Sequence, residues 1–246
     1  MSLTDPKLPF ILITLSCLIF VALIGFWNRL SRKSISAVLA RGLSLILLNL
    51  LVISSLGVVL NNYGQFYSSW QELFGVRSKP PLIVDTPKEK ISREMVKLGK
   101  INPEGSLTIR RIVRGELSGI TGEVYFSLPP SYVRALEAGV KPRTDYPVIT
   151  FLSGYPGYET AWIKGMQVVS REEKLLKAGK MPEVISVFPQ VNVAGQFDAE
   201  CMNVVGGPQV ESWLSQDVYS FTNDWLDLVP RTWNVVGYSK IGRAHV

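Results

Sequence analysis

The sequence predicts an α/β domain, a mostly parallel sheet wound with helices, carried behind a two-helix transmembrane hairpin. Three observations predict it. Two long apolar runs open the 246-residue chain. From Ser106 onward, short runs rich in β-branched residues alternate with helix-length segments. Two of those runs empty directly into turns, Ser153-Gly154-Tyr155 and Gly237-Tyr238-Ser239. Alternation of strand and helix is the pattern of a parallel sheet. Ligands in such sheets gather at the carboxyl ends of strands.

The apolar runs come first. Leu8 to Trp27 carries no charge, and Gly42 to Leu60 has Asn49 as its one strongly polar side chain. Each is long enough to cross a bilayer as a helix. A cleaved signal peptide is the alternative for the first. Asp5 beside Lys7 and the lack of a small-x-small site before the charged stretch favour a retained helix. The connecting loop, Asn28 to Arg41, carries Arg29, Arg32, Lys33 and Arg41 and no acid. Short basic loops stay in the cytoplasm, so everything after Leu60 is expected on the extracytoplasmic side. Tyr63, Phe66 and Tyr67 suit the headgroup layer. Residues 1–67 are thus expected to be a membrane anchor, with the lipid bilayer as partner.

Residues 68–105, broken by Pro80, Pro81, Pro87 and Pro103, read as an extracytoplasmic linker with a short helix within Lys88 to Lys100. Leu107 to Arg114 and Ile120 to Leu128 alternate apolar and polar around Gly115 to Gly119, the signature of a hairpin. "LPPSY", Leu128 to Tyr132, ends it. Pro147 to Leu152 reads as a buried strand, and a helix is expected from Thr160 to Ala178, stopping at Gly179. Glu183 to Pro189 is the next strand, and Gln190 to Gly207 a polar loop. Pro208 is placed to start a helix carrying Trp213, Leu214, Val218 and Phe221. Trp233 to Val236 reads as a third buried strand. The domain is expected over residues 106–240.

Composition narrows the function. The net charge of +6 owes much to the loop between the spans. No basic patch interleaved with aromatics points to nucleic acid. No phosphate-cradling glycine loop points to a nucleotide, and no cofactor is expected. Asp198, Glu200 and Cys201 share one loop, but one thiol and two carboxylates make a poor zinc set, so no metal is expected. Cys17 lies in the first span and reads as packing. Cys201, in an oxidising compartment, wants a partner that the sequence does not supply.

Ser239 is the candidate nucleophile. A serine at the tip of a tight strand-to-helix turn needs small residues two before and two after it. Gly237 fits the first requirement; Ile241 fails the second. Acyl transfer also needs backbone N–H groups aimed at the developing oxyanion. The Tyr155 N–H is the candidate donor, with Gly154 allowing a substrate to approach closely.

"YPVITFLSGYPG", "GPQVESWLSQDV" and "WNVVGYS" together resemble the esterase-D and mycolyltransferase branch of the α/β hydrolases. With the double span ahead, the chain is similar to membrane-anchored esterase-like proteins of high-GC Gram-positive bacteria. The resemblance covers about residues 106–239. It implies an α/β-hydrolase domain, incomplete at its carboxyl end. It implies Ser239 as nucleophile and Tyr155 as an oxyanion donor. Glu211 to Leu214 would open the helix before the nucleophile strand, in a structural role. It implies an ester substrate carrying an acyl lipid or a sugar. Hydrolysis and acyl transfer stay open, as do the oligomeric state and a non-catalytic envelope-binding role.

The family's acid and histidine follow the nucleophile, and this chain has no match for them. His245, the only histidine, follows Ser239 too closely to serve as its base. Ile-Gly-Arg-Ala-His-Val, residues 241–246, is what one frame of a common sequencing adapter encodes. That tail is expected to be non-native, and the chain as given to lack activity. Sequencing the gene past the Ser239 codon tests this.

Overall fold

A computed structural model of the chain describes residues 3–30, 34–64, 67, 70–74, 90–155, 157–193 and 200–238. It divides into two units, Met1–Arg77 and Ser78–Val246.

In the first unit, helix α1 (Lys7–Leu30) packs against α2 (Ile35–Gly64), with a single turn, α3 (Trp70–Leu73), beyond. The pair is antiparallel: Leu8 and Leu12 of α1 line one cavity with Gly57, Val58 and Leu60 of α2. Both helices are long and apolar enough to cross a membrane. Several of their polar side chains bond to their own helix backbone. Thr14 donates to the Phe10 carbonyl, Ser44 to Ala40 and Asn49 to Leu45. Each hydroxyl or amide is thereby satisfied without a partner outside the helix. Asn61 and the Tyr67 backbone exchange two hydrogen bonds of 2.9 Å at the far end of α2.

The second unit is an α/β domain built on a six-stranded mixed sheet. In chain order its elements are α4 (Arg93–Val96), β1 (Lys100–Ile101), β2 (Leu107–Arg114), β3 (Thr121–Leu128), α5 (Pro130–Glu137), β4 (Val148–Leu152), a π-helical turn (Ala161–Gly165), α6 (Val168–Lys177), β5 (Ile185–Pro189), α7 (Val210–Ser212), a second π-helical turn (Trp213–Asp217), α8 (Val218–Leu226) and β6 (Trp233–Gly237). The spatial order is β1-β2-β3-β5-β4-β6. β1, β2 and β3 form an antiparallel meander, and β3 runs antiparallel to β5. β4 runs parallel to both neighbours.

The expected hairpin is present, with Leu107 opposite Leu128 and Arg114 opposite Thr121. A later residue closes its turn. The Asp217 carboxylate accepts the Leu117 and Ser118 N–H groups at 2.9 Å each. A β-carbon at position 115 would lie 2.1 Å from that carboxylate, so only glycine fits there.

Period-two alternation splits the core into two layers. Ile109, Val124, Phe126, Val148 and Val187 face α5 and α8, through Tyr132, Phe221 and Trp225. Phe151 and Phe188 face the other way, onto Trp162 and Val169 of the first π-turn and α6.

Four expectations need correction. "LPPSY" does not merely end the hairpin; it opens α5, with Pro130 in the first turn, where its missing N–H costs nothing. The helix expected from Thr160 to Ala178 is two pieces, broken where Gln167 adopts a left-handed φ of 53°. The helix after Pro208 starts at Val210. Trp233 to Val236 is a strand but not a buried one: β6 has β4 on one side, and Val235 and Val236 stand exposed. The Cys201 loop is described only from Glu200, so Asp198 lies outside the described residues.

Candidate active site

β4 and β6 lie side by side in parallel register, Leu152 opposite Gly237. Ser153 and Tyr238, the residues that follow them, therefore stand at the same end of the sheet. From β4 the chain steps to β5 on one side and then crosses back to β6 on the other. That reversal is a topological switch point, where the carboxyl ends of strands open a crevice. The fold brings the ends of these two strands together. Gly154 and Tyr155 stand at the end of β4. Gly237 and Tyr238 stand at the end of β6. Ser239, the candidate nucleophile, lies outside the described residues, as do Ile241 and His245.

The turn after β4 is tight. A β-carbon at Gly157 would lie 2.8 Å from the Tyr238 hydroxyl oxygen and 2.9 Å from the Gly154 carbonyl oxygen. Residue 157 must therefore be glycine for the loop to fold back against the β6 end. Ser153 is fully buried, and its hydroxyl has no partner among the described residues. The Asn192 side-chain amide donates to the Gly157 carbonyl and, at 3.4 Å, to the Gly154 carbonyl.

An aromatic wall backs this edge. Phe151 stacks on Phe188 with centroids 5.0 Å apart. Trp162 meets Phe151 edge-on at 5.1 Å and Tyr238 edge-on at 5.0 Å. Such edge contacts add about 0.5–1.5 kcal/mol each beyond burial. Burial raises the Tyr238 phenol pKa, and the Gly154 backbone amide acts against that rise. The phenol is thus neutral at ordinary pH.

Opposite this loop, Cys201 packs beside Leu152 and Val191. It and Glu200 both hold left-handed backbone, with φ of 61° and 50°. For non-glycine residues that conformation is uncommon and costs energy. Trp213, expected to be structural, is fully buried and donates through Nε1 to the Gln190 carbonyl at 2.9 Å.

Sequence reasoning missed Asn192, Trp162 and the contact made by Tyr238. Asn192 had one usable signal: it follows Gln190 and Val191 directly past the carboxyl end of β5.

No family model matches the sequence, and no curated protein matches it. Among solved structures the chain is similar to a ferulic acid esterase at 17% identity, over 56% of this chain and 52% of that one, with a TM-score of 0.48. It is similar to an S-formylglutathione hydrolase from Agrobacterium tumefaciens at 12% identity, over 57% and 52%, TM-score 0.42. An S-formylglutathione hydrolase from Staphylococcus aureus gives 13% identity, over 56% and 49%, TM-score 0.42. The chain spans about half the length of these structures. One is named an esterase and two are named hydrolases, and likeness of this degree decides neither family nor substrate.

Proposed function

We propose that this chain belongs to a membrane-anchored serine esterase or acyltransferase whose domain works on the extracytoplasmic side of the membrane. One observation carries the reading: the Leu152–Gly237 register sets the end of β4, with Ser153-Gly154-Tyr155, beside the end of β6, with Gly237 and Tyr238, at the switch point. Ser239 follows Tyr238 directly in sequence. Its hydroxyl oxygen forms a bond to the ester carbonyl carbon while its proton passes to a general base. The oxyanion of the tetrahedral intermediate takes hydrogen bonds from the Tyr155 N–H and from the N–H after the nucleophile. The carbon–oxygen bond to the alcohol then breaks, and the alcohol leaves with the proton from the base. Water or a sugar hydroxyl next attacks the acyl-enzyme and frees Ser239. The general base is not among the described residues, which hold no histidine. The basic loop between the two apolar helices supports the orientation.

A second reading has one observation in its favour. Ile241 stands where a nucleophile turn wants a small residue, which suits a hydrolase-like domain that binds envelope components without turnover. A fluorophosphonate probe on the full-length protein separates the two, because only an activated serine is modified. Label on Ser239, located by peptide mass, supports the enzyme. A chain that never labels while still binding envelope lipid or glycan sinks it.

A further inference from the structure

Asn192 belongs to neither of the two turns, yet it holds one of them. Its amide reaches two carbonyls of the loop after β4, Gly154 and Gly157. The Gly154 carbonyl and the Tyr155 N–H belong to one planar trans peptide, so they point in opposite directions. A donor that draws the carbonyl one way turns the N–H the other way. Asn192 is itself held firmly. The Gln190 side-chain amide donates to the Asn192 carbonyl at 3.1 Å, and its oxygen accepts the Glu123 N–H at 3.1 Å. The Gln190 N–H donates to the Glu123 carbonyl at 2.7 Å, and Trp213 seals the Gln190 carbonyl. A continuous run of hydrogen bonds thus leads from β3 through Gln190 to Asn192 and on to the loop.

We propose that Asn192 is a positioning residue that fixes the Gly154–Tyr155 peptide plane, and with it the aim of the Tyr155 N–H at the oxyanion. This rests on the esterase reading above. An oxyanion donor acts only if it is already aimed where charge develops, and misplacement by about 1 Å costs on the order of a hundredfold in rate. Asparagine suits the task because its amide offers two N–H donors. Aspartate has the same shape and, when ionised, donates nothing.

The test uses the full-length protein, its gene read past the Ser239 codon, in detergent, with Asn192→Asp and Asn192→Ala. Hydrolysis of p-nitrophenyl acetate gives kcat and KM, and hydrogen exchange read by mass spectrometry follows peptides covering 153–158 and 121–128. The expected result is a kcat lowered about 10- to 100-fold with KM within about twofold, since only the transition-state contact is lost. Exchange should quicken in 153–158 and stay unchanged in 121–128. A kcat within twofold of the parent overturns the proposal, and so does exchange that quickens in both peptides, which marks general loosening. A full-length parent that neither turns over the ester nor labels at Ser239 overturns the esterase reading itself, and this proposal with it.

Discussion

β5 and β6 are alike in sequence and unlike in circumstance. Each has five residues, each is mostly apolar, and each runs parallel to β4. β5 is buried along its whole length, between β4 and β3. β6 leaves Val235 46% and Val236 40% exposed. Composition makes a strand; neighbours decide whether it is interior. The two halves of the candidate site inherit this inequality. The β4 loop is braced by Asn192 on a post rooted in β3 and β5. Tyr238 follows an exposed strand, held by its ladder to β4, by Trp233 against Tyr219 at 4.5 Å, and by the Trp233 Nε1 bond to Thr150. The end of β4 is therefore the stiffer and the end of β6 the softer, because local stability follows buried apolar contact.

The largest test of this inequality is Phe188→Ala on β5. That side chain is fully buried between Phe151 and its layer, and its loss should cost about 3–5 kcal/mol in denaturant unfolding followed by tryptophan fluorescence.

Next comes a gain that appears only at higher pH. Glu172 of α6 accepts a hydrogen bond from Ser186 of β5 at 2.7 Å. Burial lifts its carboxyl pKa to about 7, with the Ser186 bond opposing and Glu173 adding. The folded state then holds its proton more tightly than the unfolded chain, whose carboxyl titrates near 4.5. Stability therefore falls as pH rises from the unfolded value through about 7, and the full penalty applies above it. Glu172→Gln should stabilise the domain by up to about 3 kcal/mol at pH 8 and by little at pH 4. Equal gains at both pH values would show that charge is not the cause.

Trp213→Phe keeps an aromatic ring but leaves the Gln190 carbonyl without its donor. About 1–2 kcal/mol should be lost in the same unfolding assay. Val236→Ala on β6 should cost under about 1 kcal/mol, because exposed positions away from special features change little. If Val236→Ala matches Phe188→Ala, β6 is interior in solution and the contrast fails.

The sequence made the strands legible because apolar β-branched runs have few other uses. The hairpin was legible in its two strands and its turn, since alternation and the glycines at both ends of the turn agree. α5 was not, because a proline pair reads as a stop and only the three-dimensional start of a helix turns Pro130 into an advantage. The break at Gln167 was invisible too, since nothing in that residue type announces left-handed backbone. At the site, the turns after β4 and β6 could be named because glycine and serine there carry a known chemical demand. Asn192 carries no such mark. Its role is set by two carbonyls that come within reach only after β5 is seated between β3 and β4.

The bond from Asp217 to the hairpin turn also says something about time. Leu117 and its acceptor are 100 residues apart. A ribosome delivers the hairpin first, with the Leu117 and Ser118 amides still turned to water. β3 likewise waits for β5, its sheet neighbour, while β4 and α6 are made in between. The domain therefore cannot set strand by strand as it emerges. It closes late and cooperatively, once α8 arrives, and long-range closure of that kind is slow and leaves strand edges open to wrong partners. For this chain the interval between translation and closure is the period in which a chaperone matters most.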